Sequence, residues 1–105
     1  MNAVEFLKTK LPGALDESAA AGVDSTFQFN VSSPVNVSIS NGQLNVADGQ
    51  ASNPDVTITM EDEDLIAMFK GELNGMTAFM TGKLQIDGDL MLAQRMATLF
   101  QADKL

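Results

Sequence analysis

The chain has 105 residues, a formal net charge of −8, and neither cysteine nor histidine. That length supports one domain, residues 1–105, with a modest core, and no apolar run reaches the ~20 residues of a membrane span. Without cysteine there are no disulfides or thiolate metal sites. Without histidine the usual general base and the commonest zinc ligand are missing. The acidic charge opposes binding to nucleic acid and to anionic lipid, so any membrane contact is expected to be brief or apolar.

The start, Met1-Asn2-Ala3-Val4-Glu5, has no basic stretch ahead of an apolar one. It does not read as a secretory signal, and a cytoplasmic location is expected. Val4, Phe6, Leu7 and Leu11 predict a first helix, which Pro12 limits because a proline pushes the preceding residue out of the helical region. A second helical piece is expected over 13–21 on the strength of its alanines, with Gly22 closing it in a left-handed cap.

From Ser25 the period changes to two. Phe27, Phe29 and Val31 alternate with polar residues, and after the turn Ser32-Ser33-Pro34 so do Val35, Val37 and Ile39. Asn41-Gly42 predicts a type I′ hairpin turn, since both residues tolerate positive φ. A two-residue turn there sets Ser40 opposite Gln43, Ile39 opposite Leu44 and Val37 opposite Val46, so that apolar side chains meet on one face. Residues 47–53 read as a small polar linker.

The stretch from Pro54 to Gly88 organises the rest. Val56, Ile58 and Met60 lie on one face of a strand. The acids Glu61 to Asp64 follow, then Leu65, Ile66, Met68 and Phe69 at helical spacing. A short apolar helix around Met76 to Met80 and a strand at Leu84 to Asp87 complete the unit. The last helix opens at Asp89, a good N-cap, and carries Leu92, Met96, Leu99 and Phe100 at helical spacing. It is more apolar around its circumference than a surface helix needs to be, so a second burial partner is expected: core, dimer or ligand. The elements predict an α+β fold, one sheet with helices over one face.

Few residues suggest chemistry. The acid run reads as first-turn carboxylates that favour the helix dipole rather than a cation site. Gln85 to Asp89 glances at a calcium loop, but Lys83 and Gln94 would fill its first and twelfth positions, where acids are required. Serines and threonines have no histidine to activate them. No catalytic residue, metal ligand or cofactor is therefore expected. The methionines carry more information. Met60, Met68, Met76, Met80, Met91 and Met96 all lie in the second half, interleaved with Phe69, Phe79 and Phe100. Flexible, polarizable side chains of this kind suit a cavity that adapts to apolar shapes.

Pro54 to Met60, Asp64-Leu65, Gly71 to Asn74 and Thr77 to Asp89, most specifically its run from Ala78 to Gly88, together resemble the signature of the sterol carrier protein type 2 domain, in the manner of a stand-alone bacterial member. The resemblance covers about the last half of the chain. It implies a five-stranded, mostly antiparallel sheet covered on one face by helices and enclosing an apolar tunnel. It also implies non-enzymatic binding or transfer of a fatty acid, acyl-CoA, phospholipid or isoprenoid or sterol-like ligand. The end, Ala102-Asp103-Lys104-Leu105, carries an aspartate that argues against a peroxisomal address.

On this reading Ile66, Phe69, Met76, Phe79, Met80, Met91, Met96 and Phe100 wall the ligand site. Arg95 is the candidate headgroup contact, and the last helix is the gate. The alternative is an interaction module, in which the same apolar surface is buried in a homodimer or against an enzyme that handles lipid or quinone intermediates.

Overall fold

A computed structural model describes residues 2–101 and residue 104, so the ends at Met1 and at Ala102-Asp103-Lys104-Leu105 fall largely outside the described residues. The elements in order are α1 (Ala3–Thr9), α2 (Leu11–Ala14), α3 (Glu17–Ala20), β1 (Ser25–Asn30), β2 (Pro34–Ser40), β3 (Gln43–Asp48), β4 (Val56–Met60), α4 (Asp62–Phe69), α5 (Gly75–Met80), β5 (Leu84–Gly88) and α6 (Leu90–Leu99).

The strands form one sheet in the order β3-β2-β1-β4-β5. Three pairings are antiparallel and one, β1 with β4, is parallel. The hairpin register is the expected one: Ser40 faces Gln43, Ile39 faces Leu44 and Val37 faces Val46. The turn residues Asn41 and Gly42 both take positive φ, at 55° and 76°.

Register explains why one face is largely apolar. Val46, Val37, Phe27 and Val56 form one row across the sheet, and Val35, Phe29, Ile58 and Ile86 form the next. A slip of one residue in any strand would turn its row to solvent. The opposite face carries Thr26, Gln28, Asn36, Ser38 and Thr57 in the same registers. Gln28 is nonetheless fully buried. Its Nε2 donates to the carbonyls of Val35 and Gly49, and its Oε1 accepts from the Ala51 N–H at 2.7 Å. The linker after β3 thus lies over this face, held by a satisfied amide.

The expected helix over 13–21 is broken. Leu15 is extended, with φ −64° and ψ 126°, and Asp16 caps α3 by accepting from the Ser18 and Ala19 N–H groups. Pro12 sits in the first turn of α2, where its missing N–H costs nothing. Alanine propensity lost here to a tertiary contact: Leu15 bridges to Phe100.

In α4 the first turn holds Asp62, Glu63 and Asp64, as the dipole argument expects. Asp62 also clamps two distant segments. Its carboxylate accepts from the Ala3 N–H at 3.0 Å and from the N–H and hydroxyl of Ser32, both at 2.8 Å. Burial alone would push this carboxyl up, but the bonds from Ala3 and Ser32 outweigh it and hold it below the ordinary aspartate value. Phe69, at the other end of α4, joins the layers. Its ring lies 6.1 Å from Phe6, 6.2 Å from Phe29 and 5.6 Å from Phe100.

Gly88 joins β5 to α6 at φ 109°. A β-carbon there would stand 2.7 Å from the Asp55 carbonyl oxygen, so only glycine fits. Asp89 then caps α6 by accepting from the Leu92 N–H at 3.0 Å.

Candidate functional site

A cavity of about 700 Å³ lies where the β4–β5 edge of the sheet meets α4, α5 and α6. Ile58, Leu84 and Ile86 form its floor because β4 and β5 pair with Ile58 opposite Ile86. Met68 and Phe69 enter from the end of α4, Met76 and Phe79 from α5, and Leu90, Ala93, Met96 and Phe100 from α6 and its cap. The volume is within the 300–1,000 Å³ range, roughly, of small-molecule sites.

Local geometry shapes the wall between α4 and α5. Gly71 takes φ 81° and turns the chain back. The N–H groups of Glu72 and Leu73 both donate to the Ala67 carbonyl, at 2.8 and 3.1 Å, which brings Leu73 into the lining. Asn74 caps α5 by accepting from the Met76 N–H at 2.8 Å and the Thr77 N–H at 3.3 Å. Gly82, at φ 82°, closes α5 as its N–H donates to the Phe79 carbonyl. Ala78 is the one α5 residue buried in the core.

Helical spacing decides which expected residues reach the cavity. Phe69, Met76, Phe79, Met96 and Phe100 line it. Ile66, Met80, Met91 and Arg95 are not in the lining. Ile66 is half-buried and packs against the core from α4. Met80 is 78% exposed, since it follows Phe79 by one position and so points elsewhere on α5. Met91 is 74% exposed and shares a helix face with the exposed Arg95, while Leu90, Ala93 and Gln94 share the face toward the cavity. The cavity therefore has no arginine at its wall.

The residue pattern did not name Ile58, Leu73, Leu84, Ile86 or Ala93 as site residues. The strand residues were on the correct face, but no local signal told which strands were neighbours. Glu72, Leu73 and Asn74 were legible only as part of the Gly71 to Asn74 motif. The excess apolar surface of α6 is divided in two. Leu92, Met96 and Leu99 are buried, whereas Leu90 and Met91 remain exposed at its first turn.

Comparison with known proteins agrees with this architecture. The family model described as the SCP-2 sterol transfer family matches residues 5–101. The chain is similar to peroxisomal multifunctional enzyme A of Dictyostelium discoideum, with 41% identity over 68 residues, 64% of this chain and 15% of that protein. It is similar to sterol carrier protein 2 of Bos taurus, with 41% identity over 63 residues, 60% of this chain and 12% of that protein. It thus matches only a small part of the length of either relative. Among solved structures it resembles palmitated SCP2L2 from Aedes aegypti, with TM-score 0.74, 28% identity and 93% of each chain covered.

Proposed function

Because the chain belongs to the SCP-2 sterol transfer family, we propose that residues 1–105 make one lipid-binding domain that carries an apolar ligand in the cavity between the β4–β5 edge and α4, α5 and α6. The observation that carries this reading is the cavity itself: about 700 Å³, walled by Phe69, Met76, Phe79, Met96 and Phe100. An alkyl or prenyl chain placed there loses its contact with water, which contributes ~25 cal/mol for each Å² buried before association costs. Methionines at positions 68, 76 and 96 let the wall follow ligands of different shape. The reading is one of binding without catalysis, in keeping with a chain that has no histidine or cysteine to act as base or nucleophile.

Exchange of the ligand requires a way in. Met76, Phe79 and Leu90 belong to the lining and are nevertheless exposed, and Met80 and Met91 extend the apolar surface beyond them. In this reading that rim touches a bilayer briefly while lipid passes. A charge of −8 favours a neutral over an anionic surface.

The test is native mass spectrometry of the purified protein, followed by extraction and lipid analysis. A discrete adduct of lipid mass supports the reading. A clean protein mass that persists after incubation with a mixed lipid panel overturns it.

A further inference from the structure

The polar part of the cavity wall is small and one-sided in charge. Among the described residues it consists of Glu72, Asn74 and Gln94, and no lysine or arginine joins it. All three are exposed, as are the lining residues Met76, Phe79 and Leu90, whereas Phe69, Met96 and Phe100 are buried. Asn74 has its carbonyl oxygen committed to the start of α5, so its amide is left as a donor. Gln94 offers both a donor and an acceptor. Among the described residues the ion pair present is Lys8 with Asp48, so no cationic side chain neutralises Glu72.

We propose that the cavity selects lipids with an uncharged hydroxyl headgroup, such as long-chain alcohols and monoacylglycerols, over free fatty acids, and that Glu72 is the residue that rejects the carboxylate. The proposal rests on the lipid-binding reading and adds to it the headgroup class. A hydroxyl satisfies both kinds of group in the wall: it donates to the Glu72 carboxylate and accepts from the amide of Asn74 or Gln94. A carboxylate has no proton to donate. Its charge meets a like charge at Glu72, inside a molecule already at −8, with no arginine fork to hold it.

The experiment is equilibrium dialysis of the full chain with radiolabelled dodecanol and dodecanoate at neutral pH. Dodecanol partitions more readily out of water than dodecanoate, so the decisive readout is the effect of a substitution. Glu72→Gln keeps an acceptor and removes the charge, and should raise dodecanoate affinity about tenfold, the size of a like-charge interaction near a protein surface. Glu63→Gln removes one charge from an exposed position outside the cavity and should leave that affinity unchanged. Added salt should strengthen dodecanoate binding to the wild type more than to Glu72→Gln. Unchanged dodecanoate affinity in Glu72→Gln, or an equal gain in Glu63→Gln, overturns the headgroup assignment while lipid binding stands. Failure of both ligands to bind the wild type overturns the lipid-binding reading with it.

Discussion

Leu15 and Phe100 pair as an isolated antiparallel bridge. On either side, the Asp16 N–H donates to the Leu99 carbonyl and the Gln101 N–H donates to the Ala14 carbonyl, both at 2.8 Å. The other end of α6 is held as well, since the Asp89 N–H donates to the Asp55 carbonyl at 3.1 Å. The helix expected to be the gate is thus tied to the rest of the fold at both ends, whereas α5 is held more loosely. That helix buries little beyond Ala78 and is bounded by Gly71 and Gly82 at positive φ.

The bridge should be measurable. Gln101→Pro removes the N–H that donates to Ala14, and Phe100 is already extended at φ −123° and ψ 140°, as a residue before proline prefers. The expected loss is about 1–2 kcal/mol in urea unfolding, with faster amide exchange at Asp16. Unaltered stability and exchange would show that the bridge contributes nothing.

Ala93 lines the cavity from α6 and is nearly fully buried. Ala93→Phe should fill part of the space, leaving thermal unfolding within a few degrees of wild type and weakening lipid binding about tenfold. A charge at Met96 would be a poorer probe, because Met96 is only 5% exposed and an unpaired charge there threatens the fold itself. Full binding by Ala93→Phe would place the ligand elsewhere.

Asp62 sets a pH dependence. Its carboxyl lies below the ordinary aspartate value in the folded chain, so its contribution is fully present above the unfolded value, near 4. That contribution is lost as pH falls through the lower folded value, where the bonds to Ala3 and Ser32 lose their charge. Asp62→Asn should cost about 1 kcal/mol at neutral pH and flatten the acid limb of the stability curve. Parallel acid limbs for the two proteins would assign the pH response to other carboxylates.

The exposed rim makes a prediction about vesicles. Replacing Met80 and Met91 together by serine should slow lipid delivery to neutral phosphatidylcholine vesicles at least about tenfold, since each inserted methionine contributes ~1.5 kcal/mol or more. Anionic vesicles should receive lipid more slowly than neutral ones from the wild type. Equal rates for variant and wild type would remove the rim from the transfer step.

Much of the fold could be read locally. The alternation in β1 to β4 and the Asn41-Gly42 turn specified both faces and the hairpin register, because a two-residue turn leaves no freedom in the pairing. The lining of the cavity was legible in part. Phe69, Met76, Phe79, Met96 and Phe100 could be nominated from helical spacing and the apolar excess of α6, and all five line the cavity. Met80 and Met91 carry the same methionine signal, and Arg95 was nominated as the cation in the apolar helix, but none of the three is in the lining, and spacing alone does not say which face of a short helix turns inward.

Sequence by itself determined what is local: alternation, turn chemistry, the cap at Asp89, the acidic first turn of α4, and the absence of histidine and cysteine. Only the tertiary structure decided what depends on partners distant along the chain. It set β4 parallel to β1, broke the alanine-rich segment at Leu15 to meet Phe100, and buried Gln28 beneath the linker. It also placed Glu72, Asn74 and Gln94 in the cavity wall while leaving the lysines and the arginine, among the described residues, out of it. Those outcomes follow from which surfaces pack together, and no short stretch of sequence carries that information.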